Sequence, residues 1–135
     1  MLPEPFSLLP QQALFRSSLP KGALLFRRLD AVTGMYFLIT GEVQLLRYGI
    51  DGSEIVIHRA ISGESFAEAS LFSDCYHCDA LAGAPCELIR IDKQEVLKLL
   101  GNNSAFAISL TCYLTKQVQS YRRLLELQAI KGAVP

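Results

Sequence analysis

Cys75-Tyr76-His77-Cys78 has the C-x2-C spacing of a zinc knuckle or a redox pair, with an imidazole between the thiols. A structural zinc site takes about four ligands. Beyond this cluster the chain offers His58, Cys86 and Cys112, none arranged as a second pair, so no metal centre is expected. An iron–sulfur cluster held by N-terminal cysteines is closed off too, because no cysteine precedes Cys75. Redox sensing by Cys75 or Cys78 requires an exposed thiolate of low pKa; otherwise a cysteine acts as a small buried hydrophobe. His58 and His77 are too few for a catalytic metal held by several converging imidazoles. No Ser-His-Asp or Cys-His-Asn arrangement can be assembled, and there is no P-loop or dinucleotide fingerprint. No catalytic residue is assigned, and the expectation is a protein that is not an enzyme.

The bulk properties narrow the partners. With 135 residues, half of them hydrophobic and 19% charged, the chain has the size and composition of one packed domain. Lys plus Arg equals Asp plus Glu at 13 each, so no net positive field recruits phosphate backbones, and DNA binding by this chain alone is not expected. No apolar run approaches the ~20 residues that cross a bilayer, and MLPEPFSLLP lacks the layout of a secretion signal. A cytoplasmic protein with reduced thiols and no membrane partner is the expectation.

The elements that must position any site fall into four segments. Residues 1–20 read as an N-terminal helical segment, with Pro10 in the first turn of a short helix through Gln11-Gln12-Ala13-Leu14-Phe15-Arg16. Residues 21–91 break into short apolar runs punctuated by glycine, an antiparallel β pattern in which Asp51-Gly52 marks a hairpin. Val43 to Arg47 and Glu54 to His58 alternate imperfectly, which suits a roll or jelly-roll better than an open sheet. After Ile91 the period changes to about 3.6. Asp92 with Glu95 three residues on starts a short helix over 92–101, and a long helix follows over 103–131. On it Leu110, Leu114, Val118, Tyr121 and Leu125 recur at gaps of three or four, a stripe that predicts a dimer seam. The alternative is a helix lying wholly on its own domain.

Three fragments stand in order before that helix: Lys21 to Phe26, Tyr36 to Val43, and above all Gly63-Glu64-Ser65-Phe66-Ala67-Glu68-Ala69-Ser70-Leu71-Phe72. Together they resemble the sensor domain of the Crp/Fnr family of transcription regulators across essentially the whole chain. The resemblance implies a mainly β fold with C-terminal α structure. This is a double-stranded β-helix (a jelly-roll or cupin-like β-roll) of the cyclic-nucleotide-binding type, plus a long helix that pairs with its twin in a homodimer. A DNA-reading helix-turn-helix domain normally follows in the family; it is expected to be absent here, since the sequence stops at Pro135. DNA would be reached only through that missing domain.

The resemblance makes residues 63–82 a phosphate-binding cassette, in which backbone amides at the start of a short helix face a cyclic phosphate. It implies that Glu68, Ala69, Ser70 and Leu71 face a ligand. Glu68 matches the family glutamate that accepts from a ribose 2′-hydroxyl, although capping the same short helix is an equal reading. Where the family places an arginine and then serine or threonine, this chain has Cys78 and Asp79. Losing the guanidinium removes the largest attraction for a phosphate. A carboxylate about 4 Å from a phosphate oxygen repels it by roughly 4 kcal/mol at an effective dielectric of 20. Cys78 and Asp79 are thus expected to set which ligand is accepted, and tight cyclic AMP binding is not expected. His77 could recover part of the charge on protonation. Ala67 and Leu29 stand where family members commonly carry glycine. The resulting expectation is an allosteric sensor whose effector, a cyclic nucleotide or another small molecule, enters between the β-roll and the long helix, with no certain cofactor. Haem is a further candidate ligand. The alternatives are a β-roll interaction scaffold that has lost its effector site and a cupin-type metal enzyme.

Overall fold

The computed structural model describes residues 2–133. They sort into two compact units, residues 10–97 and residues 2–9 with 98–133.

The larger unit holds eight strands: β1 (Leu14–Leu19), β2 (Leu24–Phe26), β3 (Gly34–Thr40), β4 (Glu42–Tyr48), β5 (Glu54–Ile61), β6 (Ser65–Phe66), β7 (Asp79–Ala82) and β8 (Cys86–Asp92). They form two antiparallel four-stranded sheets, ordered β1-β8-β3-β6 and β2-β7-β4-β5. The chain crosses from one sheet to the other at almost every connection, which produces a roll. One core serves both inner faces: Tyr36, Leu38 and Leu88 from the first sheet meet Val43, Ala80 and Ala82 from the second. Four rings run through it in sequence, with centroids 3.8 Å apart for Tyr76 and Phe26, 5.9 Å for Phe26 and Tyr36, and 5.3 Å for Tyr36 and Phe66. Each such pair contributes about 0.5–1.5 kcal/mol beyond its buried area.

The N-terminal helical segment needs correction. The described residues 2–20 carry two 3-10 turns, Phe6–Leu8 and Gln11–Ala13, and Leu14-Phe15-Arg16 belong to β1, paired antiparallel with β8 from Leu14↔Ile91 onward. The hairpin at Asp51-Gly52 is present, but as a five-residue connection. Gly52 takes φ +81°, and Asp51 Oδ1 accepts from the backbone N–H and the hydroxyl of Ser53 at 3.0 and 2.6 Å. Between β3 and β4, Gly41 sits at φ +97°, and an added Cβ would lie 2.4 Å from the Pro85 carbonyl oxygen, so no other residue fits. Strand β5 is an edge strand. Its pairing with β4 slips between Leu45↔His58 and Leu46↔Val56, which makes Ile57 an extra residue, a β-bulge.

Two helices follow. Helix α1 (Lys93–Asn102) is capped by Asp92, whose Oδ2 accepts from the Glu95 N–H at 3.2 Å. Helix α2 (Ser104–Ala133) starts at Asn103, whose Oδ1 accepts from the Phe106 N–H at 3.1 Å. At 1.5 Å per residue α2 is roughly 45 Å long. Within the smaller unit the Phe6 ring meets Tyr113 edge-on at 5.0 Å and 78°. Phe106 and Leu110 are buried and Leu114 is half-buried, whereas Val118, Tyr121, Leu124, Leu125, Leu127 and Ile130 are exposed. No described helix is long and apolar enough to cross a membrane.

Candidate functional site

The loop from Gly63 to Leu71 is fixed by its backbone. Gly63 N–H donates to the Leu38 carbonyl at 2.8 Å, and Leu38 N–H donates to the Glu64 carbonyl at 2.9 Å. Glu64 Oε1 accepts from the Ile61 N–H at 2.9 Å. Strand β6 then pairs with β3 through Tyr36↔Phe66 and Phe37↔Ser65, burying both its residues. Ala67 turns the chain with φ 64° and ψ 10°, and one 3-10 turn, Glu68–Ser70, follows. Of the residues expected to face a ligand, Ser70 and Leu71 are buried, Ala69 is exposed and Glu68 is half-buried. The short helix is therefore three residues long, so the macrodipole invoked from the sequence has almost nothing to sum over. Any charge selectivity must come from side chains.

Glu68 is the central one. Its Oε2 accepts from the buried Ser65 hydroxyl at 2.9 Å. Burial pushes its carboxyl above the ordinary value; the Ser65 hydrogen bond and the charge of His58 pull it back, and Glu64 adds to the rise. His58 thus belongs to the surroundings of Glu68, with its Nε2 3.9 Å from Glu64 Oε1. The sequence reading weighed His58 only as a metal ligand. The signal that could have placed it is strand alternation in β5, which the bulge at Ile57 interrupts.

The Cys75 to Cys78 segment bridges at Cys75 to Ala31, bends at His77 and Cys78, and is pinned to residues 29–32: Val32 N–H donates to the Asp74 carbonyl and Tyr76 N–H to the Asp30 carbonyl, each at 3.0 Å. Tyr76 and Cys78 are buried, and the exposed His77 exchanges a hydrogen bond with Ser73 Oγ at 3.1 Å. Cys78 sits in the core cluster, its thiol pushed up by burial and by Asp79 and lowered by Arg47. Asp79 lies on the opposite face from the buried Ala80. Its Oδ1 accepts from the Arg28 N–H at 2.7 Å, and it lines a cavity of about 150 Å3 with Arg28, Leu46, Arg47 and Tyr48. All four cysteines are free thiols, and among the described residues no three of His, Cys, Asp and Glu gather as a metal site.

This geometry coincides with a family signature: residues 16–103 match the model of the cyclic nucleotide-binding domain. The chain belongs to the cyclic nucleotide-binding domain family. This cyclic nucleotide-binding domain is 27% identical over 106 residues to the cAMP-activated global transcriptional regulator CRP of Pasteurella multocida, covering 77% of the chain and 51% of that relative. It thus spans about half the length of that curated protein. Among solved structures it is similar to the sensor domain of the transcriptional regulator DNR from Pseudomonas aeruginosa, with a TM-score of 0.70 and 27% identity over 83% of this chain and 76% of that one. It is also similar to the c-di-GMP-responsive global regulator CLP of Xanthomonas campestris, with a TM-score of 0.71 and 26% identity over 87% and 57%. The cyclic nucleotide-binding domain described here is accordingly similar to the sensor domains of Crp/Fnr-type regulators and has the mainly β roll expected from that resemblance.

Proposed function

We propose that this chain is the effector-sensing and dimerisation half of a transcription regulator, without catalytic activity of its own, located in the cytoplasm, and with its specificity moved away from cyclic AMP. One observation carries this: the loop before Glu68 is tightly held, with Ala67 left-handed and Ser65 hydrogen-bonded to Glu68, while position 78 offers a buried neutral thiol. Relatives named for cAMP activation and for c-di-GMP response support a domain type whose effector varies. Glu68, Ala69, Ser70 and Leu71 would meet the effector, with Cys78 and Asp79 shaping what is accepted. An attached DNA-reading domain would act on the ligand's differential affinity for two states of the regulator.

A thermal-shift panel of cyclic AMP, cyclic GMP, cyclic di-GMP, haem and small metabolites tests this. A ligand at 100 times its dissociation constant stabilises by about 2.7 kcal/mol. Stabilisation by one member, with cyclic AMP weak, supports the reading; micromolar cyclic AMP binding refutes the altered specificity. Silence across the panel favours an effector-less interaction scaffold, a second reading that the four-ring stack filling the roll recommends.

The dimer part rests on α2, where Val118, Tyr121 and Leu125 are 47%, 38% and 64% exposed in the single chain. With half-buried Leu114 they would form the seam of a homodimer; Leu110, expected in that seam from the sequence, is 3% exposed in the single chain because its own chain already covers it, so it has no surface to offer a partner. Leu114→Glu should give monomers by sedimentation, and an unchanged dimer removes the seam.

A further inference from the structure

The proposed effector site lacks the obvious source of positive charge. Its helical turn is three residues long, Cys78 is a neutral thiol, and Glu68 and Glu64 are acidic. Strand pairing supplies the missing cation from elsewhere. Strands β4 and β7 run antiparallel with Val43↔Ala82, Gln44↔Leu81, Leu45↔Ala80 and Leu46↔Asp79. The ladder ends there: Arg47 follows on the Leu45 side of β4 by strand alternation, and Cys78, in the bend just before β7, joins the core cluster with Ala80. Cross-strand partners share a face with their Cβ atoms about 4.5–5.5 Å apart. That face is the inner one, since Val43, Ala80 and Ala82 are buried in the core cluster and Leu45 packs against it. Along it, His58 lies opposite Leu45 on the neighbouring strand.

Arg47 is exposed and makes no ion pair among the described residues, so its guanidinium is uncommitted. Its positive charge is felt at the Cys78 thiol. We propose that Arg47 is the phosphate-recognising residue of this sensor, its guanidinium reaching across the β4–β7 pair to the place beside Cys78, so that the effector is a phosphate ester and not a neutral or cationic metabolite.

A planar guanidinium offers two parallel N–H donors to a phosphate, which makes the strand position a sound substitute for one on the loop. The inference rests on the reading of the Gly63 to Leu71 loop as the effector site.

The test uses the whole chain with two probes, cyclic AMP and adenosine, which share base and ribose and differ in the phosphate. Their binding is followed by NMR titration, which reads weak affinities. The parent should prefer cyclic AMP to adenosine. Arg47→Ala should cost about ten- to a hundredfold for cyclic AMP and leave adenosine unchanged, as expected for losing a charge-assisted hydrogen bond. Adding Cys78→Arg to Arg47→Ala should restore the preference. A parent that does not distinguish the probes, or an Arg47→Ala variant that keeps the full preference, overturns the role of Arg47. Cys78→Arg alone separates the two failures. If it creates the preference where the parent has none, the loop is the effector site and only the Arg47 assignment falls. If it creates none either, the effector-site reading falls with it.

Discussion

Leu29 is the residue at which replacing a large apolar side chain by none should stabilise the protein. It holds φ at +77° while its side chain is 66% exposed, and its N–H donates to the Tyr76 carbonyl at 2.9 Å. Left-handed backbone costs an L-residue about 1–2 kcal/mol and costs glycine nothing comparable. Against this, glycine loosens the unfolded chain by about 0.4–1 kcal/mol. Little burial is forfeited, so Leu29→Gly should be more stable by about 0.5–1 kcal/mol, a rise of roughly 2–5 °C in Tm for a chain of this size. Leu29→Ala is the reference, because it removes the exposed carbons and keeps the Cβ that creates the strain. Urea denaturation of the three proteins reads the difference directly. A glycine variant no more stable than the alanine variant would refute the strain argument. Ala67→Gly, at φ 64°, should move in the same direction but less, since the Ala67 methyl packs against the core.

Three other expectations follow from the same contacts. Tyr76→Phe deletes a buried hydroxyl that donates to the Gly34 carbonyl at 2.8 Å, and should cost about 1–2 kcal/mol by urea denaturation; a cost of a few tenths would mean that bond contributes nothing net. Burial raises the Glu68 carboxyl in the folded state, so the folded protein holds its proton more tightly than the unfolded chain and stability falls as pH rises from the ordinary value of 4.5 through the raised one. Glu68→Gln removes that dependence, so its stability relative to the parent should improve from acid to neutral pH; parallel pH curves for the two proteins would contradict it. Among the thiols, exposed Cys112 should be alkylated first, with Cys78 and Cys86 reacting on unfolding, since both are buried and raised in pKa by that burial; equal rates by mass spectrometry would negate this.

The two positions at which the family resemblance leads one to expect glycine, Leu29 and Ala67, are the non-glycine residues found at positive φ among the described residues. Family comparison therefore carried backbone information that composition could not. Helix starts were legible as well, because Asp92 and Asn103 announce themselves as caps. Strand β1 was not: it is an edge strand whose middle residues are all exposed, so no period of two marks it, and Pro10 before Gln11-Gln12-Ala13 suggested a helix that lasts one turn. The placement of Arg47 at the end of the β4–β7 ladder, next to the bend that holds Cys78, was hidden for a different reason. It depends on pairing between strands far apart in sequence, and no local pattern in either strand encodes that register. The placement of Asp79 on the opposite face from the buried Ala80 follows from the same pairing.

The extra residue in the outer strand carries one further meaning. Ile55, Val56 and Ile57 stand exposed along an unpaired border, a stretch that could template growth of one molecule onto the next. Ile57 breaks the regular spacing of donors and acceptors in the middle of that stretch, so an incoming strand finds no continuous row to zip against. An irregularity of one residue thus lets the surface stay greasy without inviting filaments.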